Sequence, residues 1–148
     1  MKRVEDVLGL IKNIRPITVH GDATIDEVVE KMLAFQRDRA IYVIDGEGIL
    51  TGMISLGDIS RHLLSEGVYH GESHMPGRSI LSTSMAEKAG DIMTRAVITT
   101  RPEDELDSMI KKMIDLRLKV IPVVDSSGKL LASINLLDIF KLKAQEKI

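Results

Sequence analysis

The stretch Ile121-Pro122-Val123-Val124-Asp125 decides the fold, because the chain carries its pattern twice. The other copy is Ile41-Tyr42-Val43-Ile44-Asp45, and each copy leads through a glycine turn into a second apolar run. Corresponding residues lie 80 positions apart, as 121 and 41 do. A repeated unit of this size usually needs its second copy to bury its apolar face, and the seam between copies is a natural cleft for a ligand. The repeat therefore favours a binding protein.

A helix pattern precedes each of these stretches. Apolar residues recur at helical spacing over 25–33, and Thr24 with Glu27 has the form of a capping box. This predicts a helix from about 24 to 36. The same spacing returns 81 positions later, over 106–114, so the two copies share this helix.

Strand patterns complete each copy. Runs rich in β-branched residues predict hairpins at 41–55 and 120–135, and a further helix follows each hairpin. Short β-prone stretches at 17–19 and 98–100 come before the first helices. Each copy therefore reads β-α-β-β-α, which predicts a mixed α/β (α+β) fold.

Similar acidic and apolar turns open the two halves of the chain, at 5–8 and 90–93. The residues between the halves are rich in Gly, Ser and His and have little periodicity, which is typical of a linker. We therefore predict a first motif at 1–66, a linker at 67–89 and a second motif at 90–148.

Composition excludes several classes of function. A net charge of −2 and 3% aromatic residues give no basic field for nucleic acid and few rings to stack on bases. No apolar run is long enough to span a membrane, and the absence of cysteine fits a reducing compartment, so we expect a cytoplasmic protein. We expect no enzyme and no cofactor, because no nucleophile and base pair, Walker lysine or His-Glu-x-x-His helix is visible.

The doubled order of an apolar strand, a glycine turn, an apolar strand and a Gly-x-x-Thr/Ser-x-x-Asp helix start resembles the cystathionine β-synthase (CBS) domain. The resemblance covers residues 5–144 and implies a tandem pair whose two sheets pack face to face with pseudo-two-fold symmetry. Such pairs commonly bind AMP, ADP, ATP or S-adenosylmethionine and commonly form flat dimers. A regulatory module that binds such a ligand, forms a homodimer and signals to an unknown protein effector is the function that the resemblance implies.

The resemblance places ribose contacts at Asp58 with Ser55, and at Asp138 with Asn135. It also places a basic residue near phosphate at Arg39 or Lys119, although a charge at a helix end explains these residues equally well. For the ribose contacts the alternative is a plain helix cap, formed by Ser55 with Asp58 in the first copy and by Asn135 ahead of Asp138 in the second. The base is expected between the first strand and the hairpin of each copy, so the whole predicted ligand set is Thr18, Val19, Arg39, Ala40, Ile41, Ser55, Asp58, Thr99, Thr100, Lys119, Val120, Ile121, Asn135 and Asp138.

Two other functions stay open. Departures from the family pattern at Tyr42, Ala132 and Asn135 favour a module that dimerises or interacts without a ligand. The histidines in and beside the linker suggest a metal-responsive regulator, but no spacing defines a ligand set and we predict no metal site: they are His62, His70 and His74.

Overall fold

The computed structural model describes residues 2–11, 14–35, 40–65 and 87–148. The fold is mixed α+β, as predicted, with two sheets and accompanying helices. The elements in chain order are α1 (Val4–Leu8), β1 (Thr18–His20), α2 (Ile25–Ala34), β2 (Ala40–Ile44), β3 (Leu50–Ser55), α3 (Leu56–Ser65), α4 (Ala89–Ile92), α5 (Leu106–Asp115), β4 (Val120–Val124), β5 (Leu130–Asn135) and α6 (Leu136–Ala144).

The two predicted amphipathic helices are confirmed as α2 and α5. Thr24 caps α2, because its side-chain oxygen accepts a hydrogen bond from the Glu27 N–H at 3.2 Å. The apolar pattern overstates the buried face, however. Leu33 is 63% exposed and Ile114, its counterpart 81 positions later, is 59% exposed.

The first sheet has the order β1-β2-β3, and the second contains β4 and β5. The prediction of a strand at 98–100 was wrong, because only Thr100 forms an isolated parallel bridge, with Val123. A backbone donor explains the difference between the copies. In the first sheet the Tyr42 N–H donates to the Ile17 carbonyl at 2.8 Å, whereas the corresponding Pro122 has no N–H to donate.

The chain divides into two compact units that alternate along the sequence. Unit 1 contains residues 1–16, 47–50 and 98–148, and unit 2 contains residues 17–46 and 51–97. Unit 1 thus holds the second hairpin, the segment that precedes the first hairpin's copy (1–16) and residues 47–50 of the first hairpin, whereas unit 2 holds the rest of the first hairpin and the segment that precedes residue 98. The division of the chain at 66 and 90 stays a prediction about the motifs.

The preceding segments close the sheet edges. In unit 1 the Ser133 N–H donates to the Ile14 carbonyl at 2.8 Å. In unit 2 the main chains of Met53 and Thr94 pair in both directions, at 3.0 and 2.8 Å. These bonds satisfy backbone groups of the last hairpin strand that would otherwise stay unpaired.

Gly52 makes the close approach in unit 2 possible. A Cβ atom at this position would lie 2.3 Å from the Met93 sulfur and 2.7 Å from its Cγ. Ala132, the counterpart in unit 1, is buried in that unit's core. The glycine of the first copy is therefore required by the segment that packs on its strand.

Candidate functional site

Three predicted site residues of unit 2 lie at strand ends, and these strand ends meet at one end of the sheet. Strands β1 and β2 are parallel and begin at Thr18 and Ala40, whereas β3 ends at Ser55. Because the short turn between β2 and β3 reverses the chain, these three ends lie at the same side of the sheet. Val19 and Ile41 follow within the strands, and both are buried.

The helix start after β3 is built by Ser55 and Asp58. The Asp58 Oδ2 atom accepts hydrogen bonds from the Ser55 N–H at 2.9 Å and from the Ser55 hydroxyl at 3.1 Å. The Ser55 hydroxyl in turn accepts from the Asp58 N–H at 3.2 Å. These bonds form the reciprocal cap that the sequence suggested as an alternative to ligand binding.

The other oxygen of Asp58 is also engaged. Its Oδ1 accepts from the Thr94 hydroxyl at 3.0 Å and from the Arg61 guanidinium. Asp58 as a residue is only 6% exposed. Sequence reasoning missed Thr94, since a contact across 36 positions has no local pattern. It also missed Arg61, although the spacing of three residues from Asp58 on α3 was a local signal.

A cleft opens beside β1 in unit 2, with a volume of about 330 Å³. This lies at the lower end of the roughly 300–1,000 Å³ typical of ligand pockets. The cleft includes two members of the predicted set and adds the last residue of β1 and four residues from the following loop and helix. Its lining consists of Thr18, Val19, His20, Asp22, Ala23, Glu27 and Lys31.

Two lysines donate hydrogen bonds to backbone carbonyls in the segments predicted to bind the base. The Lys31 ammonium donates to the Thr18 carbonyl at 2.6 Å, and Lys112 donates to the Thr99 carbonyl at 3.0 Å. The two pairs are related by the repeat of 81 positions. That spacing is a signal from which these lysines could have been recognised in the sequence.

In unit 1 the loop after residue 100 is held by a carboxylate. Asp104 accepts from the Arg101 N–H at 2.9 Å and from the hydroxyl of the buried Thr100 at 3.0 Å. The Arg101 backbone bond, followed by the Thr100 bond and the charge of Lys112, lowers the pKa of Asp104 despite partial desolvation. The corresponding residue in unit 2 is Ala23, in the wall of the cleft.

The second helix start uses a different cap. Val120 pairs directly with Asn135, and the Lys119 carbonyl accepts from the Leu136 N–H at 2.8 Å. The Asn135 side-chain oxygen accepts from the Leu137 N–H at 2.8 Å. Asp138 is partly exposed in the first turn of α6, and Ile121 is fully buried.

Three sequence predictions concern residues beyond those described. Arg39, His70 and His74 lie outside the described residues. Within the described ranges, no group of three or more His, Cys, Asp or Glu residues could hold a metal ion. No helix in that part of the chain is long and apolar enough to cross a membrane.

The repeated order of helix, hairpin and capped helix, preceded by a strand in the first copy and by a single bridge in the second, defines a class of tandem-repeat module. The CBS domain model matches residues 4–65 and 89–144. The chain therefore belongs to the CBS domain family.

Two curated relatives differ greatly in length. The uncharacterized protein MJ1426 of Methanocaldococcus jannaschii is 26% identical over 82% of this chain, which spans 83% of that relative. The magnesium transporter MgtE of Thermus thermophilus is 24% identical over 97% of this chain, which spans only 29% of the transporter.

Solved structures share the fold. CBSX2, in complex with AMP, superposes with a TM-score of 0.73 at 20% identity over the whole of both chains. The CBS pair of MJ0100, in complex with 5′-methylthioadenosine and S-adenosyl-L-methionine, gives a TM-score of 0.71 at 23% identity, covering 99% of this chain and 98% of that one. At these identities the likeness establishes the fold alone.

Proposed function

We propose that this protein is a regulatory CBS pair, without catalytic activity, that binds an adenosine-containing ligand and signals occupancy to a partner protein. AMP, ADP, ATP and S-adenosylmethionine are the candidates. A location in the cytoplasm belongs to the same proposal and is supported by the absence of cysteine.

The observation that carries the proposal is the gathering of Thr18, Ala40 and Ser55 at one end of the first sheet. A cleft that includes Thr18 and Val19 lies beside the first strand. The AMP complex of CBSX2 and the S-adenosylmethionine complex of the MJ0100 pair support an adenosine ligand for this fold.

Each part of the ligand has a chemical counterpart. Thr18 and Val19 line the cleft and can contact the base, and the carboxylates of Asp58 and Asp138 can accept bonds from ribose hydroxyls. Arg39 and Lys119 supply positive charge for phosphate. Ligand can change the population of two arrangements only by binding one of them better, so signalling requires a ligand-dependent change of shape or association.

Calorimetric titration with AMP, ATP and S-adenosylmethionine tests this function. We expect the wild-type protein to bind at least one of them. A double variant with Asp58→Asn and Asp138→Asn should bind about tenfold more weakly or worse, because each bond to a charged group contributes about 1.5–3 kcal/mol.

Asp115→Asn is the matched control, since Asp115 is an exposed helix carboxylate that pairs with Lys111. Thermal melts must show that all variants are folded, because Asp58 also caps a helix. Folded wild-type protein that takes up none of the three ligands would refute the proposal, as would equal binding by the double variant.

We further propose that the protein forms a homodimer. Four apolar side chains at the ends of α2 and α5 are exposed at positions related by the repeat of 81: Leu33 with Ile114, and Phe35 with Leu116. Sedimentation should show a dimer that Leu33→Glu with Ile114→Glu converts to monomer, whereas Leu131→Glu on β5 should not. A wild-type monomer would contradict this.

A further inference from the structure

The Asp58 carboxylate is fully occupied by donors from its own unit. Ser55 supplies two of its hydrogen bonds, and Thr94 and Arg61 supply one each. A carboxylate offers about four acceptor positions, so none is left over. Its side chain is 4% exposed, which leaves little access for water. Ribose hydroxyls can reach this group only if a donor already present departs.

The four bonds are not equally easy to break. Both Ser55 bonds belong to the helix cap, and their loss would leave a main-chain N–H unpaired. Arg61 is a long side chain that is 70% exposed, so water can satisfy its guanidinium elsewhere. The Thr94 hydroxyl can turn away by rotation about one bond, while the main-chain pairing of Thr94 with Met53 stays in place.

We propose that the Thr94 hydroxyl competes with ribose for Asp58 and thereby sets the affinity of this site for adenosine-containing ligands. The inference rests on the proposed function, because it takes Asp58 as a ribose-binding group. Thr94 acts through Asp58 and needs no contact with the ligand.

The residue at the equivalent edge position of unit 1 is not a threonine. Ile14 holds the equivalent edge position in unit 1, because it pairs with Ser133 as Thr94 pairs with Met53, and 133 and 53 are 80 positions apart. An isoleucine side chain has no hydroxyl to donate.

Calorimetry with AMP on Thr94→Val tests the competition. Valine keeps the shape of threonine and removes the donor, so we expect AMP to bind about three- to tenfold more tightly than to wild type. Thr94→Ser keeps a hydroxyl and should bind as wild type does. Thr51→Val removes a hydroxyl that donates to the Val43 carbonyl at 3.1 Å in the same unit, and should also leave affinity unchanged.

A second probe isolates the ribose. With 2′-deoxy-AMP, which lacks one of the two hydroxyls, the gain from Thr94→Val should shrink. The competition is supported if Thr94→Val binds AMP tightly while the wild type binds it weakly or gives no detectable binding. If the wild type binds AMP and folded Thr94→Val binds it equally or more weakly, the competition is overturned and the proposed function still stands. Failure of both proteins to bind any adenosine ligand overturns the two together.

Discussion

The helix starts that follow the two hairpins occupy the same place in the repeat but are capped differently. In the first, Ser55 and Asp58 bond to each other, and Asp58 also gathers Thr94 and Arg61. In the second, Asn135 caps α6 through its own side-chain oxygen. The two copies therefore share their backbone structure but differ in the side chains at the helix start. The two candidate sites differ in chemistry although they share a fold.

The same divergence occurs in the first strands. Tyr42 donates a backbone bond that Pro122 cannot, and β1 is a strand where unit 1 has a single bridge. Changing a residue of one copy towards the chemistry of the other tests which differences matter.

The largest effect is expected at Tyr42. Tyr42→Ala removes a buried ring and should cost about 3–5 kcal/mol of unfolding free energy. Tyr42→Pro should cost about 1 kcal/mol more, because it also removes the N–H that bonds to Ile17. Urea unfolding measures both. Equal losses for Ala and Pro would show that this backbone bond does not distinguish the copies.

An intermediate effect is expected at Gly52. Gly52→Ala forces a methyl group against Met93 and should destabilise the protein by about 1–3 kcal/mol in urea unfolding. In a Met93→Ala background, which removes the sulfur and Cγ but keeps the Cβ at 3.0 Å, most of this penalty should disappear. Retention of the full penalty there would contradict the role of Met93. Ala132→Gly is the reverse change in unit 1. It relieves no steric clash and should lower the free energy of unfolding by about 1 kcal/mol.

The smallest effect concerns the loop that Asp104 holds in unit 1. Its pKa in the folded state lies below the ordinary value near 3.8. A lowered folded pKa means that the contribution is present above the unfolded pKa and is lost as pH falls through the folded pKa. At pH 7, Asp104→Asn should therefore destabilise the protein by less than about 1 kcal/mol, since solvent screens this partly exposed group.

Urea unfolding at pH 7 and at steps below the ordinary carboxyl pKa checks the sign. The difference in unfolding free energy between wild type and Asp104→Asn should shrink as pH falls. Asp125, whose pKa is lowered chiefly by the Ser127 hydroxyl, is present in both proteins and cancels. A gap that widens in acid would contradict the assignment.

Much of the fold could be predicted from the sequence, because the spacing of apolar residues in a strand or a helix follows from which side chains are buried. The hairpins and the Thr24 cap could be predicted for that reason. The missing strand before α5 could have been anticipated from Pro122. The exposure of Leu33 could not, since an apolar side chain at helical spacing does not reveal whether anything covers it.

The site was less predictable. Sequence spacing identified Ser55 and Asp58, whose bonds are local, but gave no indication of Thr94, which reaches Asp58 only because its segment pairs with Met53. Contacts of this kind depend on tertiary structure. The ligand roles of the predicted set, including Arg39, await the titrations described above.

The exchange of leading segments has a consequence for any chain that carries one copy alone. Such a chain would lack Ile14 or Thr94 of the neighbouring repeat, so its last hairpin strand would need a partner from a second polypeptide. In the tandem chain both partners belong to the same polypeptide. Either half expressed alone should thus carry an unclosed strand and be prone to aggregate.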